Sequence, residues 1–317
     1  DIPHLCYHPD QRVKAHCRIC SVEVVGKRRL LAACSTEVWE GMEIHTDTKI
    51  VRDTQVGILQ LILANHEQNC LTCARNQNCD LQRLCSRFNI LKSNLPDVSD
   101  HMEVHATNPS IVRDPSKCIK CGRCVRACKD VQGICALTYA GRSDSITVTT
   151  AYNKPLEETD CILCGQCSIV CPTGAIVEKD NTQQVLDVLQ DPKKHVIVQV
   201  APSVRVALGD DFKLPEGSIV TGHMVAALKM LGFDGVEETS VGAHAVTHEY
   251  ARILKEGKAD NLITTCCPST IFLVQKYFPE LTDRLAPVIS PMEAHGEMVK
   301  NKWGERTDVV FFAPCIS

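Results

Sequence analysis

The sequence lacks a stretch that could cross a bilayer: its longest apolar run, GILQLILA, is far shorter than the roughly 20 residues a spanning helix needs. It has no long run of Lys or Arg, and its net charge is only -4, so nucleic acid and anionic membrane surfaces are not expected partners. Neither G-x-G-x-x-G nor G-x-x-x-x-G-K occurs, which leaves nucleotide binding to other chains. No signal-peptide pattern is visible, and aromatic residues make up only 4%. Against that background stand 20 cysteines in 317 residues. A secreted disulfide framework is one way to reach such a count, but these cysteines fall in C-x-x-C clusters. The expectation is therefore metal-bound thiolates in a reducing, cytoplasmic compartment. The opening at Asp1 and the stop two residues after Cys315 are read as those of part of a longer polypeptide.

The strongest pattern is CIKCGRCVRAC with CILCGQCSIVCP. It places Cys118, Cys121, Cys124 and Cys128, then Cys161, Cys164, Cys167 and Cys171, in two C-x2-C-x2-C-x3-C repeats, the second followed by Pro172. In such repeats three cysteines of one loop and the fourth of the other hold each [4Fe-4S] cube. Cys118, Cys121, Cys124 and Cys171 are thus expected to form one set, and Cys161, Cys164, Cys167 and Cys128 the other. A pair of four-cysteine zinc sites is the alternative, although zinc gains nothing from a crossed repeat. Cys135 lies outside the pattern and reads as a buried thiol.

Upstream, HEQNCLTCARNQNC supplies His66, Cys70, Cys73 and Cys79. One imidazole and three thiolates can hold a third cube at a higher potential than four thiolates would, because the site is less negative. Cys85 could replace His66 as the fourth ligand. Cys6, Cys17, Cys20 and Cys34 form the first block, which resembles a plant-type [2Fe-2S] site with altered loop lengths. SVEVVG and RRLLAAC read as a hairpin about Gly26, Lys27 and Arg28.

After about Lys179 the metal spacings end. HVIVQVA reads as a buried parallel strand, followed by helical HMVAALKMLGF, extended GVEET, helical AVTHEYARILKEG, strand-like NLITT, helical PSTIFLVQKYF and the strand VVFFA. The alternation predicts a doubly wound α/β segment. In that segment Cys266 and Cys267 stand at one strand end and Cys315 at another, so that three thiols from two loops face one crevice. Read alone, the adjacent pair would be ordinary small buried side chains.

In this order the blocks resemble the large subunit of iron-only ([FeFe]) hydrogenases, in the version found in multisubunit NAD(P)-linked complexes. The first three blocks are also similar to iron-sulfur subunits of respiratory complex I and of NAD-linked formate dehydrogenases. The hydrogen-specific likeness rests on VQVAPSVRVALG, IVTGHMVAALKMLGFD, TTCCPS and FFAPC. The implied fold is multidomain, α+β and α/β. It comprises a partial plant-type [2Fe-2S] ferredoxin domain (1–50), a His/Cys3 [4Fe-4S] domain (51–105), a two-[4Fe-4S] bacterial ferredoxin domain (106–180) and a partial α/β H-cluster-type domain (181–317). The implied cofactors are one [2Fe-2S] cluster, three [4Fe-4S] clusters and, in a complete chain, the H-cluster. By the resemblance Cys267 and Cys315 are H-cluster ligands and Cys266 relays protons, while two further ligands come from a segment after residue 317. The chain departs from the family at Ser269, where glycine is usual, and at Tyr250 and Ile253, which take acidic positions. His248, Glu249 and Ser290 are nearby substitutes. The implied activity is reversible H2 oxidation and proton reduction, with a flavin/NAD(P)-binding subunit, a small [2Fe-2S] subunit and ferredoxin as partners. One alternative is an electron-transfer subunit of a formate dehydrogenase or transhydrogenase type of complex, serving a second catalytic subunit, with a non-catalytic hydrogenase-like domain. Another is a hydrogen sensor with slow turnover.

Overall fold

The structure is a computed structural model and describes residues 1–99, 102–257 and 261–316. The chain divides into two compact units, Asp1–Lys179 and Asp180–Ser317.

In the first unit the expected hairpin is present. Strand β1 (Ser21–Val24) pairs antiparallel with β2 (Leu31–Ala32), Ser21 opposite Ala32, and Gly26 takes the left-handed φ of +82° in the turn. A third strand, β3 (Ile44–His45), pairs with the other edge of β1. Helix α1 (Lys49–Ala64) buries Val51, Gln55, Leu59 and Leu63, one residue per turn, and this stripe faces the core. Leu59 and Leu63 meet Leu5, Ile19 and, from α2 (Asp80–Arg87), Leu81 and Leu84. Burying each of these leucines contributes about 1.5–3 kcal/mol. The cysteine loops are thereby mounted on a small apolar core.

The ferredoxin-like part follows an internal two-fold plan. Strand β4 (Ile111–Arg113) precedes the first repeat, whose helix is α3 (Arg123–Arg126). Strands β5 (Thr138–Ala140) and β6 (Thr147–Thr149) form a hairpin, and α4 (Gln166–Ile169) belongs to the second repeat. Strand β7 (Ile176–Glu178) then returns to pair antiparallel with β4, Arg113 opposite Ile176. That return carries the end of the second repeat to the start of the first: Asp114 N–H donates to the Ala175 carbonyl at 2.8 Å, and the Thr173 hydroxyl to the Lys117 carbonyl at 2.9 Å.

The second unit begins with α5 (Thr182–Gln190) and is built on a parallel sheet. Strand β8 (His195–Val200) is central and almost wholly buried. Helices α6 (Val204–Asp211) and α7 (Thr221–Met230) lead to β9 (Gly235–Glu238) on one side of it. Helices α8 (Ser240–Lys255), α9 (Pro268–Tyr277) and α10 (Pro291–Trp303) lead to β10 (Thr307–Phe312) on the other. Crossovers to both edges of a central strand match the expected winding. NLITT differs from its expected strand: it makes a single bridge, Ile263 with Leu285, and no strand among the described residues. The polar Asn261 and two threonines cannot fill a sheet buried on both faces. Across the sheet His295 of α10, 1% exposed, joins the side-chain amide oxygen of Gln199 in β8 at 3.1 Å to the Glu237 carboxylate of β9 at 3.0 Å.

Candidate metal centres

The two ferredoxin repeats bring the crossed sets together. Cys118, Cys121, Cys124 and Cys171 line one cavity, and Cys128, Cys161, Cys164 and Cys167 line another. The β4–β7 pairing explains the crossing, because it sets Cys171 beside the loop of the first repeat. Within each loop a residue with left-handed φ turns its N–H back to the first sulfur: Lys120 to Cys118 Sγ at 3.4 Å, and Leu163 to Cys161 Sγ at 3.5 Å. Gly122 and Gly165 follow, also with positive φ. At Gly122 a side chain would collide with the Tyr139 hydroxyl.

The sulfurs of the first set ring a space also walled by Ile119, Val148 and Ile176. Burial pushes the Cys118 thiol up to about 11 and that of Cys121 to about 12, and raises Cys124 and Cys167 well above the ordinary range. Thiols raised in this way ionise at neutral pH more readily when positive charge is brought among them, which iron would supply. Cys135 is corrected from the expected buried thiol to an exposed one. Its φ of +60° turns it outward while Ile134, Ala136 and Leu137 take the buried positions.

His66, at 8% exposure, lies just after α1, and its Nδ1 is buried without a hydrogen-bond partner. Burial, and then the Lys117 charge, hold its pKa down, which favours the neutral imidazole that ligates metals. An orphaned nitrogen of this kind fits a metal bond. Cys79 lies within electrostatic reach of Cys73 and Cys70, and its thiol is raised chiefly by burial. Cys85 is also near, but it packs among Leu81, Leu84 and Ile90, where burial pushes its thiol up to about 11. Asp80 N–H donates to the Pro172 carbonyl at 2.9 Å, tying this block to the ferredoxin repeats.

In the first block the N–H of Cys6 donates to Cys17 Sγ and that of Cys17 to Cys6 Sγ, both at 3.4 Å. A hydrogen bond between the two thiols lowers Cys6 to about 5 and raises Cys17. Burial, and then the neighbouring Cys20, push Cys34 up to about 12. Buried Arg126, which no sequence motif indicated, donates to the Cys6 carbonyl at 2.6 Å, to Gln11 at 3.2 Å and to the Cys121 carbonyl at 3.3 Å.

The α/β unit treats its cysteines differently. Cys267 is the residue before the first turn of α9, and Cys266, exposed, precedes it. Burial raises the Cys267 thiol, but hydrogen bonds from Thr270 and Ser269 at the head of the helix outweigh it, and the net shift is downward. The pair therefore sits at a helix start after a lone bridge, not at the end of a sheet strand as expected. Cys315 is exposed beyond the end of β10. Tyr250 of α8 accepts the Thr265 N–H at 3.2 Å, and the Thr265 hydroxyl donates to the carbonyl of Val288 at 2.6 Å. Ile253 is buried. The substitutes are engaged: Glu249 pairs with Arg252, His248 meets His244 at 3.1 Å, and Ser290 caps α10 through the Glu293 N–H at 3.2 Å.

Cysteine-rich blocks followed by a parallel α/β unit make the chain similar to iron-sulfur subunits of hydrogenase-type proteins. The C-terminal domain of the iron-only hydrogenase large subunit matches residues 194–317. A 2Fe-2S iron-sulfur cluster binding domain matches residues 1–49, the iron-sulfur binding region of NADH-ubiquinone oxidoreductase-G residues 55–94, and the ferredoxin-like domain of NADH-quinone oxidoreductase subunit 3 residues 108–177. The chain is 36% identical to the NADP-reducing hydrogenase subunit HndD of Solidesulfovibrio fructosivorans, over all of this chain and 58% of the relative. It is 34% identical to iron hydrogenase 1 of Clostridium pasteurianum, over 90% of this chain and 50% of that protein. The chain thus spans about half the length of these relatives. A crystal structure of an NAD+-reducing [NiFe]-hydrogenase matches 56% of this chain and 76% of its own, with 28% identity and a TM-score of 0.53.

Proposed function

We propose that this chain conducts electrons through one [2Fe-2S] and three [4Fe-4S] clusters and serves reversible H2 oxidation and proton reduction in an NAD(P)-linked complex. The observation that carries the electron-transfer part is the separation of eight cysteines into two crossed sets around two cavities. Cys6, Cys17, Cys20 and Cys34 would hold the [2Fe-2S] cluster, and His66, Cys70, Cys73 and Cys79 the third cube. The partners are a flavin/NAD(P)-binding subunit, a small [2Fe-2S] subunit and ferredoxin, in the cytoplasm. For hydrogen, Cys267 and Cys315 would be ligands of an H-cluster, which supplies the two-electron chemistry of H2 when bound. Exposed Cys266, one residue before a helix head, would pass protons between that site and solvent.

The engaged polar groups around TTCCP favour a second reading, that of an electron carrier whose α/β unit is not catalytic. With Tyr250 bonded to Thr265 and Glu249 paired with Arg252, no free carboxylate at these positions feeds the cysteine. The two readings separate in the full-length, maturated protein. Cys267→Ala should abolish the infrared bands of a two-iron carbonyl unit together with H2 turnover. Cys266→Ser should keep the bands and slow turnover, because a serine hydroxyl is too weak an acid to exchange protons near neutral pH. Wild-type protein with intact accessory clusters and no carbonyl bands would leave the carrier reading standing.

A further inference from the structure

The two repeats differ in charge at one position that is buried in both. Five residues before the first cysteine, the first repeat has Arg113 and the second has Leu156, and each lines the cavity of its own set. Leu156 is 7% exposed and apolar. Arg113 is 5% exposed, and its Nε and Nη1 are buried with no hydrogen-bond partner in the protein. Burying an unpaired guanidinium costs several kcal/mol unless an anion meets it. Its backbone is already satisfied by His105, at 2.8 and 2.9 Å, so strand pairing does not explain the side chain. The sulfurs within its electrostatic reach are those of Cys118 and Cys124, from the first set, and of Cys167, from the second. Asp114 also lines the first cavity, but Lys117 neutralises it at 2.8 Å. The second cavity has no charged side chain in its wall; its buried polar donor is the neutral Asn108 amide, whose Nδ2 is unpartnered.

We infer that Arg113 is a potential-setting residue, its buried guanidinium holding the cube of Cys118, Cys121, Cys124 and Cys171 at a higher reduction potential than the cube of the second set. The inference rests on the reading that these cysteines hold cubes. Adding one electron makes a cluster more negative, and a fixed cation in a poorly solvated wall stabilises that reduced form. The second cube, with only Cys167 near this charge and Leu156 in its own wall, receives less of that stabilisation. Two clusters with near-identical ligand loops thereby become unequal, and an electron shared between them rests on the first.

The test is an EPR-monitored titration with mediators and dithionite on the intact anaerobic protein, comparing Arg113→Met, Arg113→Gln and Arg113→Lys. The signal of the first cube is identified by Cys121→Ser, which changes its g values. The two neutral variants should lower that midpoint by at least a tenfold change in the reduction equilibrium, 59 mV for one electron. The second cube should move less, and the Lys variant should stay near wild type. Unchanged midpoints in Met and Gln, or an equal drop in Lys, would overturn the inference. Loss of the cube in Met and Gln with retention in Lys would support a requirement for charge there; loss in all three would assign Arg113 to folding instead. Wild-type protein without cubane signals would sink the underlying cluster reading, a failure recognisable before any variant is made.

Discussion

Gly174 offers the sharpest steric test of the third cluster. It follows the second repeat, in CPTG, yet a Cβ added there would lie 2.5 Å from Cys73 Sγ, with Lys117 Cδ at 3.5 Å and Arg75 Cβ at 3.9 Å. Carbon and sulfur in ordinary contact need at least about 3.5 Å, as carbon pairs do, so Gly174→Ala must displace the sulfur or the backbone by roughly 1 Å. Metal–ligand distances tolerate only about 0.2 Å. The displacement is several times that tolerance, and the atom met most closely is the sulfur of the proposed ligand itself. Anaerobically purified Gly174→Ala should therefore lose about four of about fourteen irons per chain, with the EPR signal of the His/Cys3 cube, while the other clusters remain. Iron and sulfide analysis with low-temperature EPR reads this directly. A variant with full iron and an unaltered spectrum would refute the placement of Cys73 as a ligand.

Two further outcomes follow from single residues. His66→Cys should retain a cube but lower its potential, since a thiolate adds negative charge; an unchanged redox titration would point to Cys85 as the fourth ligand. Burial opposes ionisation of Glu237, but hydrogen bonds from His295 and Lys302 outweigh it and hold its pKa below the ordinary 4.5. The folded state then binds fewer protons than the unfolded one, so this stabilisation is complete above pH 4.5 and is lost as pH falls through the depressed value. Urea unfolding between pH 7 and pH 3 should show that slope, and Glu237→Gln should flatten it; equal slopes would remove Glu237 from the account.

What could be read from sequence was whatever repeats at short range. C-x2-C-x2-C-x3-C fixes a loop and its crossed partner because thiolates three apart on one turn can only be completed from outside it. The continuous run HVIVQV marks a strand buried on both faces, and the structure makes it the central one. Isolated short stretches were less secure. NLITT has strand-forming residues but too little apolar surface for the sheet interior, and its register is set by one bridge to Leu285. Cys135 looked buried because free cysteines usually are, whereas a left-handed turn between Ile134 and Ala136 sets it outside. Arg113 and Arg126 carry no local motif. Comparing the two repeats position by position would have exposed Arg113 against Leu156; nothing in the sequence joins Arg126 to residues more than 100 positions away.

That long-range joint has its own consequence. Arg126 is 5% exposed, and it donates to the Cys6 carbonyl, the Cys121 carbonyl and Gln11, which in turn donates to the Arg123 carbonyl at 3.0 Å. One guanidinium thus fixes the ligand loop of the first block against that of the first ferredoxin repeat. Removing it leaves buried acceptors unsatisfied, each worth about 1–3 kcal/mol. The loss falls on two loops at once. Arg126→Met should therefore weaken the [2Fe-2S] site and the first cube together, read as a shared loss of both signals on mild oxidation or chelation, with the second cube spared. Arg126→Lys, which keeps the charge but cannot span three acceptors in one plane, should restore little. If the [2Fe-2S] signal alone is lost and the first cube keeps its wild-type resistance, the two loops are not coupled through this residue.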